Sequence, residues 1–204
     1  MQNTFKGSHK DIVYYSANPK ISLYMLNREF KTNPFHKLFQ IWKYEWDNQL
    51  KTVLPSSVNK IVIENIENFQ DKRKIIHYLQ PHYPFLTISH KVKTSGANHM
   101  IDDNLHSISL LKKELIFGDT GIIWELLRKK QIDKNMVRKA YQDNIKIVLK
   151  SIKELLPYLD GKIIITSDHG NLFGEYFLYA HPYGMRIRKL IEVPWLEVDN
   201  ENRY

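Results

Sequence analysis

Residues 162–171 read KIIITSDHGN, and the way this stretch is read decides the fold. Ile163 to Thr166 are apolar or β-branched, they follow the helix-closing residues Pro157 and Gly161, and they lead straight into a polar turn. A near-continuous apolar run suits a parallel strand buried on both faces. Open α/β sheets carry their sites at the C-terminal ends of such strands, which is where Asp168 and His169 fall. A carboxylate oxygen and an imidazole nitrogen on a rigid strand end form half a coordination shell for Zn²⁺ or Mn²⁺. Gly170 permits the tight turn that lets the two side chains converge. Taken alone, such a pair more often serves as turn and capping residues.

Working outward from this strand, the preceding segment predicts a helix capped by Asp133 and running to about Leu156. Tyr141, Ile145, Val148, Ile152 and Leu155 form its apolar stripe. Thr120 to Lys130 predicts a shorter helix. Residues 87–106 show little periodicity and read as a long irregular loop or insertion, about 87–118 at its widest. Before it, Lys74 to Gln80 (KIIHYLQ) reads as a short buried strand, followed by Pro81-His82-Tyr83-Pro84. Pro55-Ser56-Ser57 opens a helix through Phe69, with Val58, Ile61, Val62 and Ile66 inward. Phe35, Phe39, Trp42 and Trp46 fall at helical spacing and read as core.

Near the start, DIVYYS at 11–16 is a strand that ends in the turn Ala17-Asn18-Pro19. Downstream, a loop carries Ala180-His181-Pro182, and VPWLEV at 193–198 is the last strand. The strand–helix–strand alternation predicts an α/β fold, a largely parallel sheet flanked by helices. At 204 residues a single domain, 1–204, is expected.

Composition narrows the function classes. Hydrophobic residues make up 43% and charged residues 25%, an ordinary globular balance. Cysteine is absent, so disulfides and thiolate metal sites are excluded and any metal needs His, Asp, Glu, Asn or hydroxyl donors. The N-terminus MQNTFKGSHKD has no apolar signal region, and no apolar run reaches the roughly 20 residues that span a bilayer. A soluble, cytoplasmic protein is expected. The net charge of +8 and pI near 9.4 favour an anionic partner. The basic residues lie in short, scattered clusters without a nucleic-acid motif, so nucleic acid is not the expected partner.

The segment GNLFGEYFLYAHPYGMRIRKLIEVPWLEV after Asp168-His169 resembles the C-terminal half of the alkaline phosphatase/sulfatase superfamily. It is most similar to the phosphoethanolamine-transferase and lipoteichoic-acid-synthase-like branch. Ser167 to Asn171, Gly174-Glu175, His181 and Val193-Pro194 stand at the matching elements, with Asn171 where that branch often has Glu. The resemblance implies a truncated alkaline-phosphatase-like core, with Asp168 and His169 as metal ligands and His181 as an anion contact. In two-metal relatives the last His is itself a ligand.

YLQPHYPF at 78–85 looks like a second family segment, in which the His after the strand meets the transferred group. By that match His82, with His181, is the catalytic and substrate-binding imidazole, hydrogen-bonding an anionic oxygen or protonating a leaving oxygen. Tyr141-Gln142-Asp143-Asn144 resembles the family helix before the last strand, in a packing role, and His77 reads as a packed core residue. The resemblance covers about residues 55–86 and 136–198, and VYYSANP and QPHYPF add a similarity to archaeal members.

One family element has no counterpart. Active members begin with a strand ending in an acidic ligand and then a Ser, Thr or Cys nucleophile at a helix N-terminus, and residues 1–60 reproduce neither. The chain is therefore read as starting about a third of the way into the family fold. Ser16, Ser56 and Ser57 read as turn and cap residues. Asn18, at the end of an early strand, reads as an additional substrate contact, and Asp102 and Asp103 in the irregular loop as last-resort candidates for ligands.

The implied activity is metal-dependent hydrolysis or transfer on phosphate or sulfate esters, with Zn or Mn, or else Ca or Mg. The substrate would be an anionic small molecule, glycan or lipid headgroup. The alternative is a non-catalytic relative that binds such an anion, or a chain whose site is completed by an oligomer or partner chain.

Overall fold

The computed structural model describes residues 7–88 and 122–199. These divide into two compact units, residues 7–82 with 145–158, and residues 83–88 with 122–144 and 159–199.

The first unit is built on β1 (His9–Ser16), α1 (Leu23–Phe30), β2 (Phe35–Gln40), the short pair β3 (Trp46–Asp47) and β4 (Thr52–Val53), α2 (Pro55–Asn65) and β5 (Arg73–His77). β1 is the centre of a three-stranded parallel sheet in the order β2-β1-β5. With a neighbour on each side, its residues Ile12 to Ser16 are all buried, as its apolar, β-branched character requires. The sheet register aligns Ser16 with Gln40 on one side and His77 on the other.

α1 begins where the Ser22 hydroxyl accepts the Met25 N–H at 3.2 Å, an N-cap. Its Leu26 packs with Ile12, Tyr14, Phe35 and Leu38. α2 starts on Pro55 and buries Val58, Ile61 and Val62, with Ile66 half-buried in the 3-10 turn that follows.

Phe35 and Phe39 lie in strand β2 rather than in a helix. A spacing of four residues is a multiple of the strand period as well as near the helical one. The segment is decided instead by pairing: the Pro34 carbonyl accepts the His9 N–H, and Phe35 to Gln40 run parallel to β1. β5 is shorter than expected, ending at His77, and its residues Lys74 to His77 are only half-buried because it is paired on one side.

The second unit contains α3 (Ile122–Arg128), the first half of α4 (Lys134–Leu155), β6 (Ile163–Thr166), β7 (Leu172–Phe173), β8 (Tyr179–Ala180), α5 (Arg188–Ile191) and β9 (Trp195–Val198). α4 starts as expected, with the Asp133 carboxylate accepting the Asn135 N–H at 3.0 Å. The core of this unit is aromatic. Phe85 meets Trp124 and Tyr141 edge-on at 6.0 and 6.1 Å, and Phe173 meets the same two rings at 5.6 and 5.2 Å. Buried Asn144 on α4 clamps the 84–86 segment, accepting the Leu86 N–H and donating to the Pro84 carbonyl.

The expectation of a largely parallel sheet is corrected here. β6 pairs antiparallel with β9, from Ile163↔Val198 to Thr166↔Trp195, and β7 pairs antiparallel with β8. Nor is β6 buried on both faces, since Ile164 is 41% exposed and its residues alternate half-buried and exposed. Thr166 Oγ1 donates to the Pro194 carbonyl at 2.7 Å and Lys162 pairs with Glu197 at 2.6 Å, contacts that favour the antiparallel partner. Four apolar residues are too few to tell a core strand from one arm of a ribbon.

The irregular stretch expected at about 87–118, with Asp102 and Asp103, lies outside the described residues apart from its first two positions. No helix among the described residues is long and apolar enough to cross a membrane.

Candidate functional site

β6 ends at Thr166 and hands over to Ser167-Asp168-His169-Gly170. The turn is held from both directions. The His169 N–H donates to Asp168 Oδ1 at 3.0 Å, and the Gly170 N–H donates to the Leu190 carbonyl at 2.9 Å. A Cβ at position 170 would stand 2.0 Å from the Lys189 carbonyl oxygen, so only glycine lets the turn lie this close to α5. His169 Nδ1 is 2.9 Å from the Gly170 carbonyl. A carbonyl can only accept, so Nδ1 carries the hydrogen and a neutral ring presents the Nε2 lone pair outward.

Nε2 lies 3.7 Å from Asp168 Oδ2, beyond direct hydrogen bonding. Two ligands of one tetrahedral zinc ion, each about 2.1 Å from it, stand roughly 3.4 Å apart. The observed separation is close to that, and Asp168 is open to solvent with a side chain 68% exposed. As a donor pair, Asp168 and His169 fit a divalent cation. Among the described residues, no group of three or more His, Cys, Asp or Glu side chains is arranged to hold one.

The hairpin β7–β8 brings the third expected residue to the same place. Its register pairs Leu172 with Ala180, so one position further out Asn171 stands across from His181. The His181 ring lies 4.1 Å from the His169 ring, centroid to centroid, tilted by 39°. Glu175 fastens this hairpin. It accepts the Phe173 N–H and ion-pairs with Lys189 at 3.0 Å and Arg138 at 3.2 Å. Burial pushes its pKa up, but the backbone N–H donors and Lys189 outweigh that and bring it down to about 2.

Asp168, His169 and His181 are thus brought together within the second unit. His82 and Asn18 belong to the first. His82 is half-buried in the turn after β5, its N–H donating to the Leu79 carbonyl at 3.0 Å. Asn18 has a turn role, its Oδ1 accepting the Lys20 N–H at 2.9 Å. Ser16 is fully buried, and its hydroxyl donates to the Asn18 carbonyl and accepts the Asn18 N–H. His77 is packed in the sheet with Nδ1 2.9 Å from the Tyr14 hydroxyl.

Sequence reasoning missed two polar groups beside the cluster. The Tyr141 hydroxyl is hydrogen-bonded by the Asn171 side chain and lies within electrostatic reach of Asp168, and burial raises its pKa. Tyr141 reads in sequence as one more apolar position of the α4 stripe, and Asn171 as a substitution for the family's Glu.

Comparison of the chain with protein-family models, curated proteins and solved structures finds no match in any of the three.

Proposed function

We propose that this chain is a divalent-metal-dependent hydrolase or transferase of sulfatase type, acting on phosphate or sulfate esters. The observation that supports the reading is the convergence of Asp168, His169 and His181 on one turn and one hairpin, with the His169 tautomer set by Gly170. Asp168 Oδ2 and His169 Nε2 would hold Zn²⁺ or Mn²⁺. When bound, the ion supplies Lewis-acid polarisation of a phosphoryl or sulfuryl oxygen.

His181 then acts as the hydrogen-bond donor to a second oxygen of the ester. The acceptor is water or a hydroxyl of a second substrate. The net charge of +8 draws an anionic small molecule, glycan or lipid headgroup toward the site, and the parallel β2-β1-β5 sheet would belong to an alkaline-phosphatase-like core in a cytoplasmic protein.

The test is turnover of p-nitrophenyl phosphate and p-nitrophenyl sulfate by the purified chain with added Zn²⁺ or Mn²⁺. Metal-dependent release of p-nitrophenol is expected, abolished in Asp168→Ala and lowered by about 10²-fold in His181→Ala. A second reading has its own supporting observation. Ser16 is buried and committed to a turn, so it offers no attacking hydroxyl. On that reading the chain binds a metal and a phosphorylated or sulfated ligand without converting it, and bound metal with no turnover would be its signature.

A further inference from the structure

The metal reading leaves a shortfall, since Asp168 and His169 supply two donors, and a protein site for Zn²⁺ or Mn²⁺ takes three or four protein ligands or fills the balance with water. Carboxylates and imidazoles do not close the gap among the described residues. An amide oxygen can, because it is a neutral oxygen donor of the kind that hard and borderline cations accept.

Asn171 has such an oxygen in an unusual state. Its Oδ1 is buried with no hydrogen-bond partner, while its amide group is engaged with the Tyr141 hydroxyl. A buried carbonyl oxygen left without a donor costs about 1–3 kcal/mol, and native structures keep few of them. The position is also right. Asn171 is two residues after His169 in the same turn, and the β7–β8 register sets it across from His181, whose ring touches that of His169. The Tyr141 hydroxyl that holds the amide is itself within electrostatic reach of Asp168.

Tyr141 is in turn fixed by its edge-on contacts with Phe85 and Phe173. The aromatic core therefore reaches the turn through one hydroxyl and one amide. Resting on the metal reading above, we propose that Asn171 Oδ1 is the third protein donor of the cation site and that Tyr141 is the positioning residue that presents it. The ligand class is a divalent cation that accepts mixed nitrogen and oxygen donors, Mn²⁺ or Zn²⁺.

Calorimetric titration of MnCl₂ into the chelator-treated chain tests this without reference to activity. Asn171→Leu should weaken Mn²⁺ binding at least tenfold. Asn171→Asp, which keeps the oxygen and adds a charge, should bind several-fold more tightly than the wild type. Tyr141→Phe should weaken binding several-fold in the wild-type background and add nothing in the Asn171→Leu background, since a merely structural loss would add independently. Near-UV circular dichroism checks that each variant is folded, and Asn171→Asp keeps the test decisive if Asn171→Leu is not.

Asp168→Ala separates the two levels. If it abolishes binding while the Asn171 variants match the wild type, the third-donor assignment is overturned and the metal reading stands. If the wild type takes up no Mn²⁺, or Asp168→Ala binds as well as the wild type, both are overturned.

Discussion

Two strands of similar sequence character behave differently in this molecule. β1 carries IVYY at 12–15 and β6 carries IIIT at 163–166, both β-branched or aromatic throughout. β1 has a parallel neighbour on each side and is buried from Ile12 to Ser16. β6 has one antiparallel neighbour, and every second residue is exposed. Apolar content makes a strand, but the number of paired neighbours decides whether it is core. The consequence extends to the sites: the centre of the parallel sheet ends in a buried serine committed to a turn, whereas the ribbon ends in the exposed Asp168-His169 turn.

The difference is measurable with one substitution made twice. Ile12→Ala removes a side chain that is 4% exposed and packed with Leu26 and Phe35. It should cost about 2–5 kcal/mol. Ile164→Ala, at 41% exposure, should cost no more than about 0.5–1 kcal/mol. Urea denaturation of both variants checks the pair, and equal losses would break the contrast between core strand and ribbon.

Gly170→Ala sharpens the same comparison at the ribbon's end. The new Cβ meets backbone rather than a flexible side chain, at 2.0 Å, so the turn must move. A loss of about 1–3 kcal/mol is expected, read by urea denaturation. A small effect would mean that the turn is not held against α5.

Next in size is Tyr78→Phe in the first unit. Tyr78 donates at 2.6 Å to Asn59 Oδ1, and Asn59 donates to the Ser151 carbonyl at 2.7 Å. Losing the hydroxyl leaves a buried amide oxygen without its donor and should cost about 1–2 kcal/mol.

The smallest effect is pH-dependent and confined to the second unit. Glu175 has a folded pKa brought below its ordinary value to about 2. Its contribution is complete above about pH 4.5 and is lost as pH falls toward 2. Near-UV circular dichroism across that window should show loosening that Glu175→Gln no longer displays, because the amide cannot be protonated there.

What could be read from residues alone follows the same division. β1, α2, the start and end of α4 and the last strand carry local signals, such as a capping Asp133, an opening Pro55 and a closing Pro157. The partner of β6 does not, because four apolar residues say nothing about which strand lies alongside. β2 was hidden by a four-residue aromatic spacing common to helices and strands. At the candidate site, the structure brings together Asp168, His169 and His181, three of the residues singled out in the sequence. Asn171 and Tyr141 were not, since their polar atoms become visible only when the hairpin register and the aromatic core place them beside the turn. Asn18 illustrates the reverse, a polar residue at a strand end whose side-chain oxygen is already used within its own turn.

The account rests on Asp168 and His169 holding a cation together, and metal content after incubation with Zn²⁺ or Mn²⁺ and desalting measures that most directly. One equivalent in the wild type, lost in Asp168→Ala with the fold intact, is the predicted result. The same content in both proteins, or none in either, would contradict it.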